Sequence, residues 1–153
     1  MAGTEGFQVT LHEWQECATQ ASAVRATVFM EEQGVSQEEE QDGRDVQCVH
    51  ALARFNGVVV GTGRLRPEGG IGRMAVLPAY RGKGVGGMLL QALLQAAISK
   101  GHGQVYLAAQ EHALAFYLRY GFLPEGERFF EAGMPHVMMR RELPESAAKP
   151  TDC

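Results

Sequence analysis

Apolar and polar residues alternate along Phe7-Gln8-Val9-Thr10-Leu11, the period-two pattern of a strand with one buried face. Ala21, Val24 and Val28 then recur at helical spacing until Gly34 breaks the pattern. From Glu31 to Asp45 the only aliphatic residue is Val35, set among acids and glutamines, so a solvated loop is predicted there. Val49 to Phe55 and Val58 to Leu65 are strand-like runs joined by Asn56-Gly57. That pair most readily supplies the two positive φ angles of a type I′ hairpin turn. A Gly69-Gly70 turn leads into a further strand, Ile71 to Leu77, closed by Pro78.

From Gly84 the period lengthens. Val85, Met88, Leu89, Ala92, Leu93 and Ala96 fall on one face of a helix that Gly101 closes. Val105 to Ala109 predicts a short strand, His112 to Tyr120 a short helix stopped by Gly121, and the segments around Phe129-Phe130 and Val137 to Met139 a closing strand pair. The order of elements predicts an α/β (α+β) fold, with a mixed, largely antiparallel central sheet flanked by helices. Residues 1–143 form one domain in this reading, and 144–153 a frayed tail.

Composition narrows the class. A hydrophobic fraction of 45% and a charged fraction of 21% belong to a folded globular chain. The net charge of -4 argues against a broad basic surface for nucleic acid. Apolar runs are too short to span a bilayer and the N-terminus has no leader pattern, so a cytoplasmic protein without a membrane partner is expected. Cys17, Cys48 and Cys153 have no metal or disulfide spacing, and free thiols and no metal are expected. Monomer and homodimer are both compatible with this composition.

The chemistry concentrates in Arg81-Gly82-Lys83-Gly84-Val85-Gly86-Gly87, between a strand and the long helix. Glycines let backbone N–H groups converge on an anion, the helix N-terminus adds unpaired donors, and Arg81 and Lys83 add full charges. A phosphate site is predicted. A Walker A loop would need Ser or Thr after Lys83, where Gly84 stands. Gly82, Gly84 and Gly87 satisfy G-x-G-x-x-G, the dinucleotide spacing of an oxidoreductase, but the following strand ends without the acid that binds ribose.

Another spacing is more specific: Arg81-x-x-Gly84-x-Gly86, approached by Arg73-Met74-Ala75-Val76-Leu77-Pro78. It resembles the diphosphate loop of the GNAT superfamily of N-acetyltransferases, Arg/Gln-x-x-Gly-x-Gly/Ala. Ala115 to Phe122 is similar to that family's F-Y-x-x-x-G-F helix. Arg25 to Gln33, with Asp42 to Asp45, and Glu131 to Met139 resemble the opening and closing signatures of the ElaA-like branch. Gln110 departs from the Asn that many relatives outside the branch carry seven residues before the Tyr.

The resemblance implies acetyl-CoA as co-substrate and an amine as acceptor, a small molecule or a lysine or N-terminal amine. It implies that the backbone of Met74, Ala75 and Val76 pairs with the pantetheine arm, with the N–H of Ala75 or Val76 polarising the thioester carbonyl. Arg81, Gly82, Lys83, Gly84, Val85 and Gly86 would hold the diphosphate, with Gln110 and Phe116 beside the cofactor. Tyr117 is the implied general acid on the leaving sulfur. His136 is the candidate base, since an imidazole is largely neutral at pH 7. Glu32 and Glu131 are its rivals and candidate acceptor-binding residues. A non-catalytic acyl-CoA sensor would keep the glycine loop and dispense with Tyr117.

Overall fold

The computed structural model describes residues 5–145; residues 1–4 and 146–153, which include Cys153 and most of the expected tail, lie outside the described residues. β1 (Phe7–His12), β2 (Val49–Phe55), β3 (Val58–Leu65) and β4 (Ile71–Val76) form an antiparallel sheet in that order. β5 (Gln104–Gln110), β6 (Leu123–Glu131) and β7 (Met134–Glu142) form a second antiparallel sheet, ordered β5-β7-β6. The predicted β2-β3 hairpin turns at Asn56 and Gly57, whose φ angles are 50° and 87°.

The expected mixed, largely antiparallel sheet is present in two parts, and the break between them is what matters. β4 and β5 run parallel and meet in an isolated bridge, Gly70 to Tyr106, where the Tyr106 N–H donates to Gly69 O at 3.1 Å. Beyond it they diverge. A bulge in β4 accompanies the divergence, centred on Arg73, which has φ 51° although it carries a side chain. The connection between these strands, β4 to α3 (Val85–Ser99) to β5, is one crossover unit, with none of the repeated units a dinucleotide fold requires. That corrects the oxidoreductase alternative.

Helix α3 packs on the first sheet through Leu89, Leu90 and Leu93, all fully buried, each contributing roughly 1.5–3 kcal/mol. Leu94 and Ala97 are buried too, so the apolar stripe is wider than the sequence period indicated. Helix α1 (Trp14–Arg25) covers the sheet's opposite face, where Leu52 meets Cys17 and Ala21, and widens into a π-helical stretch, Ala26–Glu32, where Gln33 N–H reaches back five residues to Val28 O.

The acidic segment is largely exposed, as predicted, but it is structured and two of its acids are buried. Ser36 caps a short helix, α2 (Gln37–Glu40), through a reciprocal bond pair with Glu39. Glu40 and Asp45 are buried because Arg25, itself buried at the end of α1, donates to both carboxylates. Arg64 on β3 bonds Asp42 and Asp45 in turn. Charge density alone pointed to solvent. For Glu40 and Asp45, opposite charges brought from α1 and β3 reverse that outcome by replacing the water that buried carboxylates would lose.

Candidate active site

Where β4 leaves β5 the protein opens a cleft of about 1360 Å³. One wall is the unpaired edge of β4. Leu77 N–H donates to Val60 O on β3, so by strand alternation the N–H and C=O of Val76 point the other way, into the cleft. The Val76 carbonyl accepts from Arg81 Nε at 2.8 Å, which agrees with that orientation. Met74, Ala75 and Val76 all line the opening.

At the end of this wall the chain makes a tight 3₁₀ turn, Pro78–Tyr80, and enters the glycine loop. Gly84 starts α3 with φ 86°, a left-handed conformation that a side chain would strain. The first intrahelical bond is Met88 N–H to Gly84 O at 3.1 Å, so the amides just before it have no carbonyl within the helix. Gly82, Gly84, Val85, Gly86 and Gly87 border the cleft there. Gly87 has a different reason to be glycine: a Cβ would stand 2.0 Å from the Tyr120 hydroxyl. Val85 turns its side chain into the core and offers only backbone.

The two cations of the loop part company. Arg81 lines the cleft, but its fork grips Glu32 at 2.7 and 2.6 Å, and this holds the Glu32 carboxyl below its ordinary range. Lys83 is exposed and does not line the cleft. Arg119, which the sequence did not single out, does line it, over the Phe116 ring at 5.9 Å, and Phe116 faces Gly86. Among the described residues Arg119 has no ion pair.

Tyr117 sits on α4 (Leu114–Arg119), packed edge-on against Phe116 and Phe122. Burial pushes its phenol up to about 12, so it stays protonated at neutral pH. Its hydroxyl makes no hydrogen bond among the described residues and borders the cleft. His136 on β7 is 6% exposed and stacked on Phe129. Its Nδ1 lies 2.8 Å from Met134 O; since a carbonyl only accepts, Nδ1 carries the hydrogen, and the tautomer this selects has its lone pair on Nε2. Gln110 is paired opposite His136 and exchanges side-chain bonds with Gln33, at 3.0 and 3.4 Å. Glu131 also lines the cleft, and among the described residues it has no charged partner. Tyr117, His136, the β4 edge and the loop thus border one space.

The model of an acetyltransferase (GNAT) domain matches residues 15–143. The chain belongs to the GNAT acetyltransferase family. An uncharacterized N-acetyltransferase of Bacillus subtilis, YjcF, is 36% identical over 132 residues, 84% of this chain and 94% of that protein. The crystal structure of a putative N-acetyltransferase from Lactobacillus plantarum superposes with TM-score 0.83 at 29% identity, over 91% of this chain and 99% of the other. That of Escherichia coli ElaA gives 0.79 at 31% identity, over 88% and 99%. This GNAT protein is an acetyltransferase. No helix among the described residues is long and apolar enough to cross a membrane, and no group of side chains there could hold a metal.

Other site residues had no legible signal. Gln33 and Arg119 fall within the signatures, but nothing in their spacing marks them as site residues. Arg64 and Arg73 sit in strand patterns, where a cation ordinarily marks the solvent face, and Arg66 lies just beyond one. Only the split between the sheets turns Arg66 and Arg73 toward a cleft.

Proposed function

We propose that this GNAT acetyltransferase moves the acetyl group of acetyl-CoA directly onto a primary amine, within a single domain of residues 1–143. The observation that carries the reading is the unpaired β4 edge, continuous with the glycine loop and facing Tyr117 and His136 across one cleft. Acetyl-CoA supplies an activated thioester. Amides of residues 84–87 and the positive end of α3 bind its diphosphate. Arg119 supplies the side-chain cation, while Arg81 ties the loop to the end of the π-helical stretch through Glu32.

The Val76 N–H, rather than that of Ala75, is the donor for the thioester oxygen, because Ala75 by alternation points its N–H at β3. Activating the acceptor is the larger task. A free alkylammonium near pKa ~10.4 is deprotonated to roughly one part in 2,500 at pH 7, a cost of about 4.6 kcal/mol. Glu131 attracts the ammonium and Nε2 of His136 takes its proton. Tyr117 donates to the leaving sulfur. Its raised pKa suits this site, because burial raises that of the departing thiol in the same direction.

Calorimetry with CoA and acetyl-CoA, then release of free CoA thiol across a set of amines, tests the reading. Micromolar binding with thiol release that depends on both acetyl-CoA and an amine is expected. No affinity for either form of the coenzyme would sink it.

A further inference from the structure

The charges of the cleft do not balance at its far end. Three acids lining it are already held: Glu32 by Arg81, Glu40 by Arg25, and Glu39 by the cap of Ser36. Arg66 and Arg73, which also line it, are held less tightly. Arg66 lies over the Tyr106 ring at 5.7 Å, meets a carboxylate only at 3.6 Å, from Glu68, and its guanidinium donates no hydrogen bond among the described residues. Arg73 donates through Nε and Nη2 to the carbonyls of Glu39 and Glu40 and, at 3.4 Å, through Nη2 to Asp42, leaving Nη1 without an acceptor among the described residues. Its nearest carboxylates, Asp42 at 3.4 Å and Glu40 at 3.6 Å, sit in tighter pairs with Arg64 and Arg25.

Burial and the neighbouring Arg64 push the Arg73 guanidinium below its ordinary range, the direction expected of a cation short of negative charge. Arg64 itself leaves Nε buried without a partner. Between the two arginines the wall is open, since a Cβ on Gly72 would meet nothing within 4 Å.

Tyr106, Ala108 and Gln110 share one face of β5, and Met138 and His136 continue that face on β7 through the pairs Ala108–Met138 and Gln110–His136. The face leads from the candidate base to the ring under Arg66. Arg73 precedes Val76 by three residues, about 10 Å of strand.

We propose that the acceptor is an ω-amino carboxylate: its amine lies at His136 and Val76, and its carboxylate is received by Arg73 and Arg66 beside Tyr106. The inference rests on the amine-transfer reading above and names its substrate class. A planar guanidinium with free N–H groups matches two carboxylate oxygens, and a site built for an anion rejects the analogue that lacks it.

The test compares ω-amino acids of three to six methylenes with alkylamines and α,ω-diamines of the same length, by thiol release with acetyl-CoA. At one length or more the amino acid is expected to exceed both analogues about 10- to 100-fold in kcat/KM. Arg66→Gln and Arg73→Gln are each expected to bring that ratio toward one, mainly through KM, with thermal denaturation confirming that each variant is folded. Equal use of the three series, preference for the diamine, or a carboxylate preference that survives both substitutions overturns the proposal. Calorimetry of the same compounds on the CoA-bound protein reads the selectivity without turnover. Failure of transfer and failure of the carboxylate site therefore give different results.

Discussion

Tyr117 and His136 illustrate how little a residue's type decides and how much its neighbours do. A Tyr between helix and sheet is ordinarily packing. Here its ring is packed and its hydroxyl is left to the cleft, in surroundings that keep it protonated. Tyr117→Phe is expected to lower kcat up to about 100-fold with CoA affinity nearly unchanged, measured by steady-state kinetics beside calorimetry. For His136 the Met134 carbonyl selects the tautomer with Nε2 open. His136→Ala is expected to flatten the acidic limb of the pH–rate profile; a limb that keeps its position would assign the proton to another acceptor. Both residues were legible as motif members, whereas the tautomer and the raised phenol depend on contacts from other strands and helices.

At the scale of elements, the N-terminus of α3 is positioned by a close approach. Gly87 lets Tyr120, at the end of α4, rest against the first turn of α3. Alanine is the better helix former by roughly 0.8–1 kcal/mol, yet Gly87→Ala places a methyl where the Tyr120 hydroxyl stands. The clash is expected to dominate, with a net loss of about 1–3 kcal/mol in denaturant unfolding. Removing the hydroxyl with Tyr120→Phe should recover part of it; a stabilised single variant would contradict the packing account. The glycine run was readable as a ligand loop, but nothing in its spacing separates the ligand-facing glycines from this one.

The junction of α1 with the acidic segment is the second such case. Arg25 holds Glu40 and Asp45 from a buried position and lies 5.4 Å from the Trp14 ring. Arg25→Met leaves two carboxylates buried without it, a change expected to cost about 3–5 kcal/mol. Loss of less than about 1 kcal/mol in urea titration would mean that water replaces the guanidinium.

For the whole molecule the same network sets the response to acid. Burial alone would raise the Asp45 carboxyl, but its bonds to Arg25 and Arg64 outweigh that and hold it low; the bond from Arg64 does the same for Asp42. A folded-state pKa below the unfolded value of about 3.9 means that the unfolded chain takes up more protons in the interval between them. The stabilisation is thus complete at neutral pH, declines as pH falls through about 4, and is lost below the folded-state values. His50, pushed down by its own burial, adds in the same direction, since unfolding releases an imidazole that protonates more readily. Thermal unfolding from pH 7 to pH 3 is expected to show Tm falling steadily. A Tm that rises toward pH 4 would contradict the sign.

The sequence by itself determined the strands, the long helix, the hairpin turn and the glycine loop, because each follows from local periods and from backbone angles that few residues adopt. It also carried the family, through motifs whose members are close in the chain. Tertiary structure alone decided where β4 and β5 part, that Arg81 holds Glu32, that Gly87 serves packing, and that Glu40 and Asp45 anchor the acidic segment. Each of those depends on charges and surfaces brought together from distant parts of the chain, and a local pattern holds no information about partners it has not yet met.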